Sequence, residues 1–326
     1  MRGMWSASGR DRPIGSPGSG AGADSADRRP VARVVKGMGL ALSALLALLS
    51  VDGLTGTVYR TGTAATVHVT ASRAGAARQA VVVFPGYIMS GAQLSRAFAP
   101  FLGPGDAMVV ADYAERAVDV DGLYRQVMAA LEVIRPGSVR VYGASMGGLC
   151  ARQFLDRYAG DGSPYGQAVL VLDTAPDSAA RVKRPDWVFG LASWYRGGPL
   201  TSLGWALLNQ FGDQPDPEPG ADPRIVKAGR RHSTWVGMPA LTSQAEFIAS
   251  SPALRDGELT GRAARVVYLQ AREPADDPLV LVADSVDQWR RAFPGLVEVT
   301  IDGRAGVWHI PLIERPQETL RAILAA

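Results

Sequence analysis

The stretch SVRVYGASMGGLC, residues 138–150, joins a short apolar run to a glycine-rich turn and a helical pattern. Residues 139–142 are predicted to be a strand, and residues 143–147 (GASMG) fit the pattern G-x-S-x-G. Between a strand and a helix, this pattern holds a nucleophilic serine on a strained turn, where flanking residues without a Cβ avoid a clash. The alternative is a structural glycine turn. The stretch therefore predicts a reactive Ser145 at the positive end of a helix dipole.

The composition of the chain argues against several kinds of binding partner and site. The chain has 326 residues, 47% of them hydrophobic, enough to bury one large core or two smaller ones. Its net charge is only +3 and the basic excess lies near the N-terminus, which argues against nucleic acid as a partner. One cysteine and three histidines in no close pair argue against an intramolecular disulfide and a zinc site. We expect Cys150 to be a small buried residue rather than a second nucleophile.

The N-terminal segment has the composition of a targeting signal rather than of a folded domain. Residues 1–36 are expected to be a disordered basic extension, because they have too few large apolar side chains to offset the entropy of ordering. Residues 37–53 follow a basic cluster and are predicted to be a signal or membrane-anchor segment; the alternative is a buried helix. The basic residues of that cluster are Arg28, Arg29, Arg33 and Lys36. Because such residues stay in the cytoplasm, we expect an extracytoplasmic protein, secreted or anchored, whose N-terminal segment contacts the membrane or the export machinery.

Residues 54–326 alternate strands and helices. Continuous apolar runs typical of buried parallel strands are followed by amphipathic helical patterns. The predicted strands are residues 66–70, 80–84, 107–111, 139–142, 167–172, 264–270 and 297–301. The predicted helices are residues 93–102, 120–134, 148–158 and about 311–324. This alternation predicts one α/β domain with a mostly parallel central sheet and helices on both of its faces.

The alternation stops at about residues 177–260. This span is rich in tryptophan, proline and glycine, and residues 214–223 (QPDPEPGADP) form an irregular loop. We interpret the span as a helical or irregular cap inserted over the carboxyl edge of the sheet. Its large aromatic residues are Trp187, Phe189, Trp194, Tyr195, Trp205, Phe211, Trp235 and Phe247. They would line a pocket for an apolar group, form the core of the cap itself, or divide between the two tasks.

A loop after an earlier strand offers hydrogen-bond donors for a developing oxyanion. The sequence FPGY, residues 84–87, directly follows a predicted buried strand. The backbone N–H of Tyr87 and that of Met146, which follows the nucleophile, are the expected pair of donors.

The other two members of a catalytic triad are expected after Ser145, in the order acid and then histidine. Asp277 is the preferred acid, because it follows a predicted strand and directly precedes Pro-Leu-Val. The alternative acids are Asp276, Glu273, Asp173 and Asp302. His309 follows the last predicted strand and is the expected base, whereas His68 lies in the first predicted strand and His232 in the cap.

Taken in order, these stretches resemble the α/β-hydrolase superfamily in its serine-nucleophile branch. The resemblance covers about residues 66–326. It rests on FPGY at 84–87, GASMGG at 143–148, DDPLV at 276–280 and WHIPLIERP at 308–316. Pro85-Gly86 stands where the family often has His-Gly. A serine at position 145 argues against the aspartate-nucleophile branches, haloalkane dehalogenases and epoxide hydrolases.

The resemblance implies acyl transfer to Ser145, with His309 as general base and acid and Asp277 orienting the imidazole. It implies no cofactor and no metal. The expected activity is cleavage of a small-molecule carboxylic ester with an apolar, lipid-like acyl group. An acyltransferase, a thioesterase or a cofactor-free perhydrolase would share the triad, and a non-catalytic ligand-binding homologue would have lost a triad member.

Overall fold

The three-dimensional structure is a computed structural model that describes residues 28–58, 64–71, 76–115, 117–183, 190, 195, 197–211, 227, 237–301 and 315–326. The chain divides into two compact units, Met1–Ser50 and Val51–Ala326. The second unit contains the sheet, the cap helices and the candidate active site.

The sheet is built from β1 (Thr66–Ala71), β2 (Gln79–Phe84), β3 (Asp106–Asp112), β4 (Val139–Ala144), β5 (Ala168–Asp173), β6 (Ala263–Ala271) and β7 (Val297–Ile301). These seven strands lie in the order β1-β3-β2-β4-β5-β6-β7. β1 pairs antiparallel with β3, and the other neighbouring pairs are parallel. Every residue of β2 is buried, as expected of a central parallel strand covered on both faces.

The described helices are α1 (Arg28–Val58), α2 (Gly91–Phe98), α3 (Val120–Ile134), α4 (Met146–Gly160), α5 (Pro199–Phe211), α6 (Met238–Ser250), α7 (Val282–Ala292) and α8 (Pro316–Ala325). Short 3₁₀ turns cover Ala99–Phe101, Ala179–Arg181 and Pro274–Asp276. α5 and α6 belong to the predicted cap. The cap is therefore partly helical, and its remaining residues lie mostly outside the described ranges.

Successive residues of β2 divide the core between the two faces of the sheet, because strand side chains alternate in direction. Val82 packs in a cluster with apolar side chains of α3, α4 and α7. Val81 and Val83 pack in a second cluster with side chains of α2 and α8. The predicted fold class, a mostly parallel sheet with helices on both faces, is confirmed.

The predicted strands agree with the observed ones to within two residues at each end, but the helices depart further from the prediction. α8 begins at Pro316 instead of about residue 311, and α4 covers two more residues at each end than predicted. α7 has no counterpart among the predicted helices. α2 begins at Gly91 instead of residue 93, because the Ser90 side chain caps it by accepting a hydrogen bond from the backbone N–H of Gln93. It ends at Phe98, where a 3₁₀ turn containing Pro100 takes over.

The predicted signal or anchor segment, residues 37–53, is part of a longer helix that begins in the first unit and ends in the second. α1 has 31 residues, and the stretch Val34–Thr55 within it is long and apolar enough to cross a membrane. The uncharged run within it, residues 37–51, is shorter because Lys36 and Asp52 flank it. A signal sequence near the N-terminus meets the same criteria of length and composition, so the helix fits either a membrane anchor or a signal.

Candidate active site

Ser145 lies at the junction of β4 and α4 in a backbone conformation that few non-glycine residues adopt. Its φ is 49° and its ψ is −120°. Such a conformation costs about 1–3 kcal/mol and persists only where the surrounding structure holds it. Here the Ser145 N–H donates to the carbonyl oxygen of Asp173 at 2.8 Å, and the Ser145 carbonyl accepts from the N–H of Gly148 at 2.8 Å. The turn is therefore held from the neighbouring strand β5 on one side and from α4 on the other.

Close backbone packing explains the two glycines of the G-x-S-x-G pattern. A Cβ at Gly143 would lie 2.5 Å from the carbonyl oxygen of Gly147. A Cβ at Gly147 would lie 2.0 Å from the carbonyl oxygen of Phe84, the last residue of β2. Both distances are shorter than a Cβ tolerates, so only glycine fits at these positions. The contact at Gly147 also brings the loop after β2 directly against the nucleophile turn.

That loop, residues 84–88, contains the predicted oxyanion donor Tyr87. The Pro85 carbonyl accepts a hydrogen bond from the Tyr113 hydroxyl at 2.8 Å. Ile88 has a φ of 55°, a left-handed conformation that is unusual for a β-branched residue. Like Ser145, Ile88 therefore has a strained backbone, and it lies four positions after Phe84, where the loop contacts the elbow.

Helix α6 of the cap holds the loop through two hydrogen bonds. The backbone N–H of Ile88 donates to the Gln244 side-chain oxygen at 2.7 Å, and the Tyr87 hydroxyl donates to the Leu241 carbonyl at 3.1 Å. Gln244 itself is buried. Nothing in the sequence near Gln244 indicates this role, because its partner lies 156 positions away along the chain.

The predicted acid, Asp277, is buried at the carboxyl side of β6. Its Oδ1 accepts hydrogen bonds from the backbone N–H groups of Leu279 and Val280, both at 2.7 Å. Its carbonyl oxygen accepts from the Lys183 ammonium at 2.6 Å. The aspartate is therefore fixed in orientation through both its side chain and its backbone.

The alternative acid Asp173 is fully buried at the end of β5. Its Oδ2 accepts a hydrogen bond from the Tyr142 hydroxyl at 2.6 Å, and its Oδ1 accepts from the Thr174 hydroxyl at 3.2 Å. Burial, together with the negative charge of Asp173, raises the pKa of Tyr142 well above its usual value, so the phenol stays protonated and donates. These contacts give Asp173 a bracing role beneath the Ser145 turn.

The other candidate residues from the sequence analysis either lie outside the described residues or have contacts that give them a structural role. The expected base His309, the alternative acid Asp302 and the cap residue His232 lie outside the described residues. His68 on β1 lies 3.0 Å from a carboxylate oxygen of Asp112 on the neighbouring strand β3. Cys150 is buried, as predicted, and burial raises the pKa of its thiol to about 12.

The cap aromatics that the structure describes do not share one environment. Trp205 of α5 packs in a small cluster with Leu241, Tyr87 and Ile88, next to the oxyanion loop. Phe247 packs against the larger core cluster of the sheet, and Phe211 is 79% exposed. Tyr195 donates a hydrogen bond from its hydroxyl to Asp52 at 2.7 Å, and the other four (Trp187, Phe189, Trp194 and Trp235) lie outside the described residues. Among the described cap aromatics, Trp205 is thus the one that packs against the oxyanion loop.

The chain is similar to known proteins in structure, whereas no family model and no curated protein matches it. A carboxylesterase structure from the ammonia-oxidizing thaumarchaeon Nitrososphaera gargenis is 12% identical, with a TM-score of 0.56 over 80% of this chain and 93% of its own. The enol-lactonase of Burkholderia xenovorans LB400 is 15% identical, with a TM-score of 0.55 over 80% and 96%. A type II thioesterase from the borrelidin biosynthetic cluster is 17% identical, with a TM-score of 0.52 over 79% and 96%. At these identities the likeness establishes the fold, and the chain has the α/β-hydrolase fold that the sequence predicts.

Proposed function

We propose that the protein is a serine hydrolase that cleaves carboxylic esters through an acyl-enzyme on Ser145. The observation that carries the proposal is the strained backbone of Ser145, held between β4, β5 and the N-terminus of α4. A structural turn at this position has no need of a non-glycine residue with positive φ. A nucleophile does, because this conformation presents its hydroxyl at the carboxyl edge of the sheet.

In the proposed reaction His309 removes the proton of the Ser145 hydroxyl while Oγ attacks the carbonyl carbon of the ester. The backbone N–H groups of Tyr87 and Met146 stabilise the resulting oxyanion. His309 then protonates the leaving alcohol, and the acyl group remains on Oγ. A water molecule, deprotonated by the same histidine, releases the carboxylic acid and regenerates Ser145. No cofactor enters these steps.

Asp277 is the proposed acid that fixes the tautomer of His309 and stabilises its cation. Two backbone N–H groups hold its Oδ1, which sets the orientation of the whole carboxylate. The contacts of Asp173 with Tyr142 and Thr174 support a different task for that residue. The proposed triad is therefore Ser145, Asp277 and His309.

The proposed substrate is a small ester with an apolar acyl group. Trp205, Leu241 and Tyr87 form an apolar cluster beside the oxyanion loop, which supports binding of such a group. The likeness to a type II thioesterase supports thioesters as a second class of acyl donor, which would form the same acyl-enzyme.

The proposed location is outside the cytoplasm, with residues 37–53 serving as a signal or anchor. The basic residues of the preceding segment favour a cytoplasmic N-terminus. Residues 1–36 would then be a cytoplasmic extension. Residues 54–326, with the cap at about 177–260, would be the hydrolase domain on the opposite side of the membrane.

Labelling with a fluorophosphonate probe tests the chemistry directly. We expect the probe to modify Ser145 of the full-length protein, and we expect turnover of p-nitrophenyl esters whose rate depends on acyl chain length. Thioesters of the same acyl groups compare the two donor classes. A folded protein that the probe does not label would contradict the proposal and favour a non-catalytic binding protein.

A further inference from the structure

The acid loop, residues 274–281, follows β6 and contains the proposed triad acid Asp277. A 3₁₀ turn covers Pro274–Asp276, and Pro278 directly follows Asp277. Neither proline has a backbone N–H, so the loop has fewer donors with which to stabilise its own conformation. The conformation of the loop therefore depends in part on contacts from another segment.

The first residues of the cap pair with the acid loop. Val182 and Val280 face each other in an antiparallel β-bridge. Beside this bridge, the backbone N–H of Lys183 donates to the carbonyl oxygen of Leu279 at 2.7 Å. Val280 is buried, and Val182 packs against the same core cluster. The chain that enters the cap is thus held against the loop by both backbone and side-chain contacts.

The side chain of Lys183 adds a charged contact to the same loop. Its ammonium donates to the carbonyl oxygen of Asp277 at 2.6 Å and to that of Ala275 at 3.3 Å. A charged donor makes stronger hydrogen bonds than a neutral one, and here a single ammonium joins two carbonyl groups of the loop. Because one of these bonds is made to the backbone of Asp277, it fixes the point from which the carboxylate projects.

The loop itself orients the carboxylate at the end of that side chain. Asp277 Oδ1 accepts from the backbone N–H groups of Leu279 and Val280, both at 2.7 Å. Leu279 is also the residue whose carbonyl oxygen accepts from the backbone of Lys183. Separation of the loop from Lys183 would therefore displace both the backbone of Asp277 and a donor to its carboxylate.

We propose that Lys183 is a positioning residue, through which the start of the cap holds Asp277 in place for His309. This inference rests on the proposed triad of Ser145, Asp277 and His309. Lys183 does not touch the substrate in this role and acts only through the acid. The cap would then position both the oxyanion loop, through Gln244, and the acid loop, through Lys183.

Lys183→Met tests this role, because the variant removes the ammonium and keeps an unbranched side chain of similar length. Lys183 is exposed, so the change leaves the core intact. For a short soluble ester we expect kcat to fall about 10-fold with KM unchanged, since small displacements of a catalytic group have effects of this size. The value of kcat is taken per site that a fluorophosphonate labels, which corrects for unfolded protein. Lys183→Arg keeps the charge and the N–H donors and should retain most of the activity.

Arg265→Met is the matched control. Arg265 also donates from an exposed cationic side chain to a backbone carbonyl, that of Ala326 at 3.1 Å, but near the opposite end of β6. This control should not change kcat. Equal losses in the two variants would overturn the proposal.

A double-mutant cycle separates positioning of the acid from general stabilisation. In an Asp277→Asn background, Lys183→Met should cause little further loss, because the acid through which Lys183 acts is already absent. A loss of the same size in both backgrounds would overturn the proposal.

Hydrogen exchange tests the contact without turnover. In Lys183→Met the amides of Leu279 and Val280 should lose protection, whereas the amides at the centre of β6 should keep it. Unchanged protection at both positions would overturn the proposal even in an active enzyme. Loss of protection, together with a wild-type protein that does not hydrolyse esters, would contradict only the proposed function.

Discussion

The carboxyl edge of the sheet and the cap are stabilised by different means. At the sheet edge, β2 and the elbow residues are buried, and backbone atoms of Gly143, Gly147 and Phe84 touch directly. In the cap, all thirteen residues of α5 are described, and Ala206 alone is buried. α6 buries seven of its thirteen residues, whereas α5 is held mainly by individual polar contacts: Asp52 at its start, and Ser202, whose hydroxyl accepts from the N–H of Met238 at 3.0 Å. The bond of Gln244 to Ile88 is a further polar contact, made by α6.

This difference implies that the catalytic residues at the sheet edge are held rigidly, whereas the cap helix α5 can change its position more easily. A turn held by close backbone packing has little freedom to move without disturbing the core. A helix with few buried apolar contacts and a handful of polar ones opens at lower free energy. Substitutions at the sheet edge should therefore abolish chemistry, whereas substitutions at the polar contacts of the cap should alter positioning and local stability.

Ser145→Ala should have the largest effect on turnover. We expect a loss of about 10⁴-fold or more in kcat for p-nitrophenyl esters, because the acyl-enzyme no longer forms. The melting temperature should fall little, since the hydroxyl is not needed for the backbone contacts of the turn. Esterase activity close to that of the wild type would remove Ser145 from the proposed mechanism.

Asp277→Asn tests the acid at the same edge. An amide would hold His309 in the wrong tautomer, with an expected loss of about 10⁴-fold in kcat by analogy with other triads. Asp276→Asn, one position earlier, is the matched control and should cost much less. The opposite order of severity would assign the acid to Asp276.

The sheet edge was predictable from sequence because its determinants are local. Buried strands such as β2 are continuous apolar runs, and the glycines around Ser145 lie within two positions of it. α7 was missed although its buried residues, among them Val282, Val286 and Trp289, follow the helical period. The charged residues between them (Asp284, Asp287, Arg290 and Arg291) obscured that pattern.

The contacts of the cap were not predictable in this way. Gln244 bonds to Ile88 across 156 positions, and Asp52 bonds to Thr201 across 149. Neither partner carries a local signal, since a glutamine in a helix and an aspartate in an apolar run are common without any such role. In the sequence Asp52 only shortened the apparent apolar segment, whereas in the structure it caps a helix.

Gln244→Met tests whether the cap positions the oxyanion loop. The change removes the acceptor for the Ile88 N–H and keeps the side-chain volume, so the strained loop should relax. We expect kcat to fall by about 10- to 100-fold, since small displacements of a catalytic group have effects of this size. The rate at which a fluorophosphonate labels Ser145 should fall together with kcat.

Gln288→Met is the control for this variant. Gln288 also bonds the backbone through its side-chain amide, but as a donor: its amide nitrogen donates to the carbonyl of Leu254 at 2.9 Å, on α7 and away from the loop. The Gln288→Met variant should leave kcat unchanged. Equal losses in the two variants would mean that Gln244 contributes only to general stability.

Asp52→Asn should have the smallest effect, confined to the cap. Burial alone would raise the pKa of Asp52, but hydrogen bonds from Tyr195, Thr201 and two backbone amides outweigh it and lower the pKa below the usual value. Because the folded pKa is depressed, the contribution of this carboxylate is complete above the unfolded pKa of about 3.9 and is lost as the pH falls through the folded value. At neutral pH the variant places an amide N–H₂ against groups that now donate to the carboxylate, and the expected cost is about 1–3 kcal/mol.

Hydrogen exchange measures where this cost falls. In Asp52→Asn, the amides of Leu200 and Thr201 should lose protection at pH 7, and the difference from wild type should shrink below about pH 4. Asp119 is a matched cap on the sheet side, where its carboxylate accepts from the N–H of Gly122 at 2.8 Å. Asp119→Ala should expose the first turn of α3 and leave α5 protected. If instead Asp52→Asn lowered protection throughout the sheet, the cap and the sheet edge would form one cooperative unit, and the contrast between them would be wrong.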